Sequence, residues 1–379
     1  MNFSWRRFRA VAHKEFLHIL RDPRSLAISL ALPLMMLLIF GYALSLDVDR
    51  IQMVVYDQDR TPESRELIAR INGSRYFEIR DYVEHYAAIN RDINSSRALV
   101  GMVIPPQFGH DLKAGGSPQV QLVFDGSDSN TASIAQGYAN ALLLQYSTDM
   151  RTAAQDRRGA PKMEPPVDAR VRVMYNTDLR SRNYIVPGLI AVILMIIAAM
   201  LTSLTVAREW ETGTMEQLIS TPVRPAELLF GKLIAFFSVG MADMVVCLVV
   251  GVYIFDVPMH GSPIDLFIVS VIFLFGALCW GIFLSTAARN QLMAYQLGML
   301  TSFLPAFLLS GFIYATENMP VVIQVISYVV PAKYFVAILK GIFLKGVSLH
   351  VMWTEVTMLS AYAFIVFILA VRKLRMKVA

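Results

Sequence analysis

Six apolar runs, with one long polar interval between the first and the second, constrain this chain more than any other feature. The runs fall at about 26–46, 183–206, 228–254, 263–287, 292–315 and 351–371. Each is close to the roughly 20 residues that a helix needs to cross the hydrocarbon core of a bilayer. The interval 47–182 is polar enough to fold in water and long enough to form a domain of its own. Charged residues make up 17% of the chain, against roughly 25% in soluble domains, so a wholly soluble fold is excluded.

The basic residues stand at the membrane edges. Arg6, Arg7, Arg9, Lys14, Arg21 and Arg24 precede the first run, and Arg372, Lys373, Arg375 and Lys377 follow the last. Cytoplasmic flanks carry the excess of Lys and Arg, which puts both termini in the cytoplasm, and six crossings agree with that. The interval 47–182 is then extracytoplasmic. The net charge of +5 is accounted for by these edges and does not call for nucleic acid. Cys247 and Cys279, the only cysteines, fall inside apolar runs and read as small core residues. The outer domain therefore has no disulfide. The basic lead of about 25 residues and the long first run exceed the roughly 7–15 apolar residues of a signal peptide, so 26–46 is expected to stay as an anchor.

Residues 1–25 read as a cytoplasmic amphipathic helix lying in the membrane interface. On a 3.6-residue wheel Trp5, Phe8, Ala12, Phe16 and Ile19 share one face, with Arg6, His13, Lys14 and Arg21 largely on the other. Asp22-Pro23 ends it. Inside 47–182, strand signals at Ile51–Tyr56, Phe77–Tyr82, Ala98–Ile104, Val120–Phe124 and Val167–Tyr175 alternate with helical stretches, the longest about 129–158. Such alternation predicts an α/β domain. The expected fold class is thus an α-helical polytopic membrane protein with six transmembrane helices and an inserted α/β extracytoplasmic domain.

Two links between the runs stand out. The second and third are joined by 208–222, with Thr214 placed to cap a short helix that ends before Pro222. The fourth and fifth are separated only around Arg289 and Asn290, a tight hairpin. The segment 316–350, interrupted by Pro320 and Pro331, is semi-apolar and carries Glu317, Lys333, Lys340 and Lys345. It suits external re-entrant helices, and irregular backbone at that depth needs protein or water around it. Residues 183–371 thus form the remaining membrane body, and 372–379 a cytoplasmic tail.

Catalytic motifs are missing from the sequence. Gly231-Lys232 is followed by Leu233 and lacks the upstream glycine of a phosphate loop, and there is no HExxH, CxxC or GxSxG. No histidine pair has ligand spacing, so no metal is expected. Asp243 is an acid well inside an apolar run, where a carboxylate is costly and faces protein or water. It lines a path, binds a cation, relays a proton, or is a protonated structural residue at a helix interface. Thr202, Ser203, Thr205, Gln296, Thr301 and Ser302 are small polar groups of the kind that join helices in membranes. Gln296 is also a candidate for the transport path.

The segment 208–222, RExExGTMEQLxxTP, resembles the coupling segment of type-2 ABC exporter permeases with a large outer domain after the first span. KEFLHILRDPRSL at 14–26, VIPPQFGHDLKAG at 103–115, FDGSDSNTA at 124–132, LSGFIYATENMP at 309–320 and VPAKYFVAILKGIFLKG at 330–346 are similar to that family in the same order. Trp210 and Ala315 depart from its common residues. The resemblance implies a transport subunit of the bacterial inner membrane that is itself no enzyme. It binds no cofactor, while a separate cytoplasmic ATP-binding subunit holds ATP and Mg. Arg208, Glu209, Glu211, Gly213, Thr214, Glu216, Thr221 and Pro222 would then form the coupling contact, braced by the N-terminal helix. It also implies a second permease, identical or similar, a periplasmic adaptor docked to the outer domain, and cargo that is hydrophobic or amphipathic, as in drug efflux. Lipid or glycan export is the alternative within the family. A membrane-anchored sensor has no cytoplasmic signalling domain to use, and an ion-coupled transporter has only Asp243 to recommend it.

Overall fold

The computed structural model describes residues 4–44, 50–157, 175–176, 180–288 and 290–378. The chain divides into two compact units, Met1–Leu46 with Arg172–Ala379, and Asp47–Val171.

The first unit opens with α1 (Trp5–Arg21) and α2 (Pro23–Ala43). Asp22 leaves the helical region because a residue before proline is pushed out of it, and Pro23 then takes the first position of α2, where its missing N–H costs nothing.

The second unit runs β1 (Ile51–Asp57), α3 (Pro62–Asn72), β2 (Phe77–Tyr82), α4 (Tyr86–Asn94), β3 (Val100–Ile104), α5 (Phe108–Lys113), β4 (Gln121–Phe124) and α6 (Ser129–Arg157). Its sheet has the order β2-β1-β3-β4. β1 is parallel to β2 and β3, and β4 is antiparallel to β3. Side chains alternate across a strand. Met53 and Val55 of β1 join Leu67, Ile71, Ala135 and Tyr146 of α3 and α6 in one core. Val54 packs with Ile89 of α4 in the other. A Cβ on Gly101 of β3 would come within 2.3 Å of Ile89, so that glycine sets how closely α4 approaches the sheet. Thr61 caps α3 by accepting from the Ser64 N–H at 3.3 Å. The strand expected at Val167–Tyr175 lies outside the described residues apart from Tyr175.

The chain then returns to the first unit through α7 (Ser181–Ser203), α8 (Thr205–Glu211), α9 (Thr214–Ile219), α10 (Pro225–Tyr253), α11 (Pro263–Ala287) and α12 (Gln291–Leu308). A 3-10 turn at Thr316–Asn318, α13 (Val321–Ser327), α14 (Pro331–Lys340), a π turn at Gly341–Lys345 and α15 (Trp353–Val378) complete it. Among the described residues, five helical segments are long and apolar enough to span a membrane. They are Leu26–Ala43, Ser181–Glu211, Pro225–Tyr253, Pro263–Ala287 and Trp353–Leu374. The pair α13 and α14, bent by 85°, adds a sixth if taken as one broken span. The expected run at 292–315 becomes the 18-residue α12, which is not among the five. Two glutamines, Gln291 and Gln296, dilute its apolar character.

Helix α7 is the pillar of this unit. Its apolar window is 89% buried, against 17% for α2 and 22% for α15, although all three are apolar enough to span a membrane. It packs against α2, α10, α11, α12 and α14. The Thr202 hydroxyl donates to the Leu278 carbonyl of α11 at 3.0 Å or to Ala198 at 2.9 Å. Opposite it stands Gly281, where any Cβ would sit 2.0 Å from the Thr202 oxygen. Between α11 and α12, Trp280 donates its indole N–H to Thr301 at 3.2 Å. Thr202 and Thr301 thus join helices, whereas Ser203 and Thr205 bond nearby carbonyls at Met200 and Thr202.

Candidate functional site

The site forms where α7 breaks. Helix α7 ends at Ser203 and α8 restarts at Thr205, which leaves amide N–H groups without helical acceptors. Ser285 of α11 fills the gap. Its hydroxyl oxygen accepts from the N–H groups of Val206 and Ala207, both at 3.0 Å. Helix α8 is therefore anchored at its start. At its far end Gly213 adopts φ +71, a left-handed conformation natural to glycine, and this turns the chain into α9. Thr214 opens α9 rather than capping it. The N-cap position is Gly213, and the Thr214 hydroxyl donates back to the Glu209 carbonyl at 3.3 Å.

Four charged groups close a ring beneath this joint. The Lys232 ammonium of α10 lies 3.0 Å from Glu15 of α1 and 2.8 Å from Glu209 of α8. The Lys14 ammonium lies 3.3 Å from Glu15 and 2.9 Å from Glu209. Two cations thus alternate with two carboxylates, and the ring is neutral. Glu15, Glu209 and Lys232 are 4%, 8% and 2% exposed, whereas the Lys14 side chain is half in solvent. Burial pushes the Glu15 carboxyl up, but Lys232 and Lys14 outweigh it and hold Glu15 below the usual carboxylate range. Burial likewise works against the Lys14 charge, and Glu209 and Glu15 more than compensate. One ring therefore ties three helices together, including the one that begins the predicted coupling segment.

A second clasp lies near the start of α10. Glu227 accepts from its own N-cap N–H at Arg224 (3.0 Å), from the Ser4 N–H (2.8 Å) and from the Arg7 guanidinium (2.7 Å). One buried carboxylate thus caps α10 and holds the beginning of α1. Between ring and clasp the helices nearly touch, since a Cβ on Gly231 would meet Val11 at 2.6 Å.

Helix α1 consequently presents to α10 a stripe shifted from the predicted one. Val11, Ala12 and Glu15 are its buried residues. Phe8, Phe16 and Ile19 are half-buried, and Trp5 is exposed. A glutamate inside an apolar stripe, and a lysine a few residues into an apolar run, were the sequence signals for the ring. Charges in such places need partners, but nothing in the sequence says that they partner each other.

The remaining predicted residues separate into two groups. Glu211 turns toward α12, accepting from the Gln291 N–H at 2.7 Å and from its side-chain amide, while Arg208 donates to the Gln291 side-chain Oε1 at 3.4 Å. With Asn290 accepting from the Met293 N–H at 2.7 Å, α8 helps to cap α12. Glu216, Thr221 and Pro222 are exposed, as are Thr212, Gly213 and Thr214. Glu209, expected as a docking charge, instead lies inside the ring, so the outward-facing part of the segment runs from Glu211 through α9 to Pro222.

Asp243 is fully buried in α10, and neither carboxylate oxygen has a hydrogen-bond partner among the described residues. Gln296 is exposed on α12. The structure therefore does not combine these two into one polar site. Among the described residues no group of three His, Cys, Asp or Glu side chains is arranged to hold a metal ion.

Comparison with known proteins fits this architecture. Residues 23–372 match the family described as ABC-2 family transporter protein. The chain is 38% identical over 346 residues to the probable multidrug ABC transporter permease YbhS of Escherichia coli K12, covering 90% of each. It is 30% identical over 342 residues to the probable multidrug ABC transporter permease YbhR of the same organism, covering 90% of this chain and 91% of that one. The inner membrane transport permease YhhJ is 29% identical over 294 residues, covering 75% and 74%. The chain belongs to the ABC-2 family of transporter proteins, as a permease.

Proposed function

We propose that this chain is half of an ATP-driven exporter of the bacterial inner membrane, with both termini in the cytoplasm and the unit Asp47–Val171 outside. A separate cytoplasmic subunit binds ATP and Mg, and a second permease completes the path. The observation that carries the coupling role is the ring of Lys14, Glu15, Glu209 and Lys232. A push on the exposed α9 passes through α8 into a ring that grips α10 and α1 together. In this scheme α9, with Glu216, Thr221 and Pro222, is the contact with the ATP-binding subunit. Glu209 acts behind it as a positioning residue, while Arg208 and Glu211 set the angle of α12. ATP shifts the permease only so far as it binds one arrangement better than the other.

The relatives named as probable multidrug permeases favour hydrophobic or amphipathic cargo. A periplasmic adaptor on the outer unit would let that cargo leave the cell directly. Asp243, buried and without a hydrogen-bond partner among the described residues, is assigned to the permease interior, since a carboxyl at that depth faces protein or water.

The test is reconstitution of the chain with its ATP-binding subunit in proteoliposomes. Combining Glu216→Lys with Thr221→Lys should weaken subunit association about tenfold, the loss expected for 1.4 kcal/mol. Cargo-stimulated ATP hydrolysis should fall with it, while membrane insertion stays normal. Unchanged association and coupling in that variant would remove α9 from the contact. Transport by the purified chain without any nucleotide-hydrolysing partner would overturn the larger proposal.

A further inference from the structure

A cleft of about 480 Å³ opens between α10 and α15, with α11 as its floor and Phe8 of α1 contributing from the side. Ile234, Phe237, Phe275 and Phe364 are among its walls. Behind them Phe367 packs on Phe230 and Phe275, with ring centroids 5.1 and 5.6 Å apart. Among the described residues Ser360 is the only polar side chain in the lining, and its hydroxyl is already donated to the Val356 carbonyl at 2.7 Å. The cleft therefore offers nothing that would orient a polar ligand. Pockets for small molecules usually place a few polar groups for that purpose. At the rim Ile234 and Phe364 are 43% and 65% exposed, on helices that are candidate membrane spans, so the opening lies where lipid is the solvent.

The exposed charge near the cleft is basic, because the nearby acid of α10, Glu227, is buried and already paired with Arg7 at 2.7 Å. Helix α1, which supplies Phe8, carries the exposed Arg6 and Arg9, and α15, which supplies Phe364, carries Arg372 and Lys373 about two turns further on. The one acid within α1, Glu15, is held in the ring with Lys14 and Lys232, and α15 has no acid after Glu355. Basic pockets between spans take anionic lipid headgroups, and each buried methylene of a chain adds to the hold.

We infer that this cleft holds an acyl chain of an anionic phospholipid, whose phosphate lies among Arg6, Arg9, Arg372 and Lys373. The bound lipid then fills the space between α1, α10 and α15 next to the charge ring. The assignment needs only that the chain is embedded in a membrane and does not depend on what is exported.

The experiment uses the full chain in vesicles of phosphatidylethanolamine containing a trace of phosphatidylglycerol with a photoactivatable acyl chain. Crosslinked residues are mapped by peptide mass spectrometry. Labelling at Phe237, Phe275 and Phe364 should exceed that on the exposed faces of α2 and α12 about tenfold, as a site favoured by 1.4 kcal/mol would give. A phosphatidylethanolamine probe should lose most of that preference. The Ser360→Phe variant, which places a ring in the cleft, should lose the label while keeping its thermal midpoint. Independently of any cleft-filling change, Arg6→Gln with Arg9→Gln should erase the difference between the two probes. Uniform labelling of all lipid-facing helices overturns the inference. So do equal labelling by both headgroups in the unaltered protein, and crosslinks from the cleft to a second copy of the chain in place of lipid.

Discussion

Two regions of the membrane unit solve the same problem, a lysine drawn away from water, by opposite means. Where α8 meets α1 and α10, Lys232 is surrounded by carboxylates from two other helices. Near the bent pair α13–α14, Lys340 instead donates to the Gly311 carbonyl at 2.9 Å and lies 3.3 Å from the centre of the Tyr184 ring. Tyr184 donates to the same carbonyl at 3.1 Å. The first arrangement neutralises charge with charge and fixes three helices to one another. The second uses a carbonyl dipole and a ring face, which attract an ammonium without neutralising it. The coupling role proposed above would benefit from the first, because removing any member leaves an uncompensated charge.

That contrast can be broken in graded steps. Lys232→Met should be the most damaging change. It strips two buried carboxylates of a shared partner, which costs on the order of 3–5 kcal/mol. A large fall in the thermal midpoint of the purified chain would report it, and combining it with Glu15→Gln should recover part of the loss in a double-mutant cycle. Full additivity of the pair would mean that the ring is not a unit. Gly231→Val comes next. Its side chain would collide with Val11, forcing α1 off α10 at a cost of about 1–3 kcal/mol. Proteolysis near residue 20 should become faster in that variant.

Lys340→Met should cost less, about 1–2 kcal/mol for the lost cation–π contact and hydrogen bond, and a methionine keeps much of the apolar stem. If it destabilises more than Lys232→Met, the ranking of the two regions is reversed. Lys14→Ala should cost least of the ring members, on the order of 1 kcal/mol, because its side chain is half in solvent and salt screens it.

The ring also predicts the direction of acid sensitivity. Glu15 has its carboxyl held below the ordinary range by Lys232 and Lys14 against the opposing effect of burial. Its contribution is complete above the unfolded carboxylate range and is lost as pH falls through the lowered folded value. Thermal melts between neutral and strongly acid pH should show α1 loosening in acid, and Glu15→Gln should flatten that dependence. An unchanged profile in Glu15→Gln would place the acid-labile group elsewhere.

Much of the site was legible in residues 208–222, but only as a segment. The turn at Gly213 and the exposed Glu216 follow from local chemistry, a glycine permitting positive φ and a charge on a short helix outside an apolar run. Glu209 and Glu216 look alike in the sequence, each an acid within a polar link. One is buried against Lys232 and the other faces solvent, and that difference depends on where α1 and α10 lie. Ser285 gave no signal at all. A serine inside an apolar run bonds its own helix in most settings, as Ser270 does with Leu266, and only the break in α7 gives it amides to accept from.

The amino-acid order by itself determined which stretches seek an apolar phase, where proline and glycine end helices, and that a polar interval interrupts the membrane body. Those properties reside in single residues and short periods, so they survive without knowledge of neighbours. Tertiary structure decided that α7 is enclosed by five other helices while α2 and α15, also apolar enough to span a membrane, are mostly left uncovered. It also decided that α12 is capped by α8, and that four charges scattered from position 14 to position 232 close into one ring. Burial and ion pairing are properties of pairs distant in sequence, and only packing brings those pairs within reach.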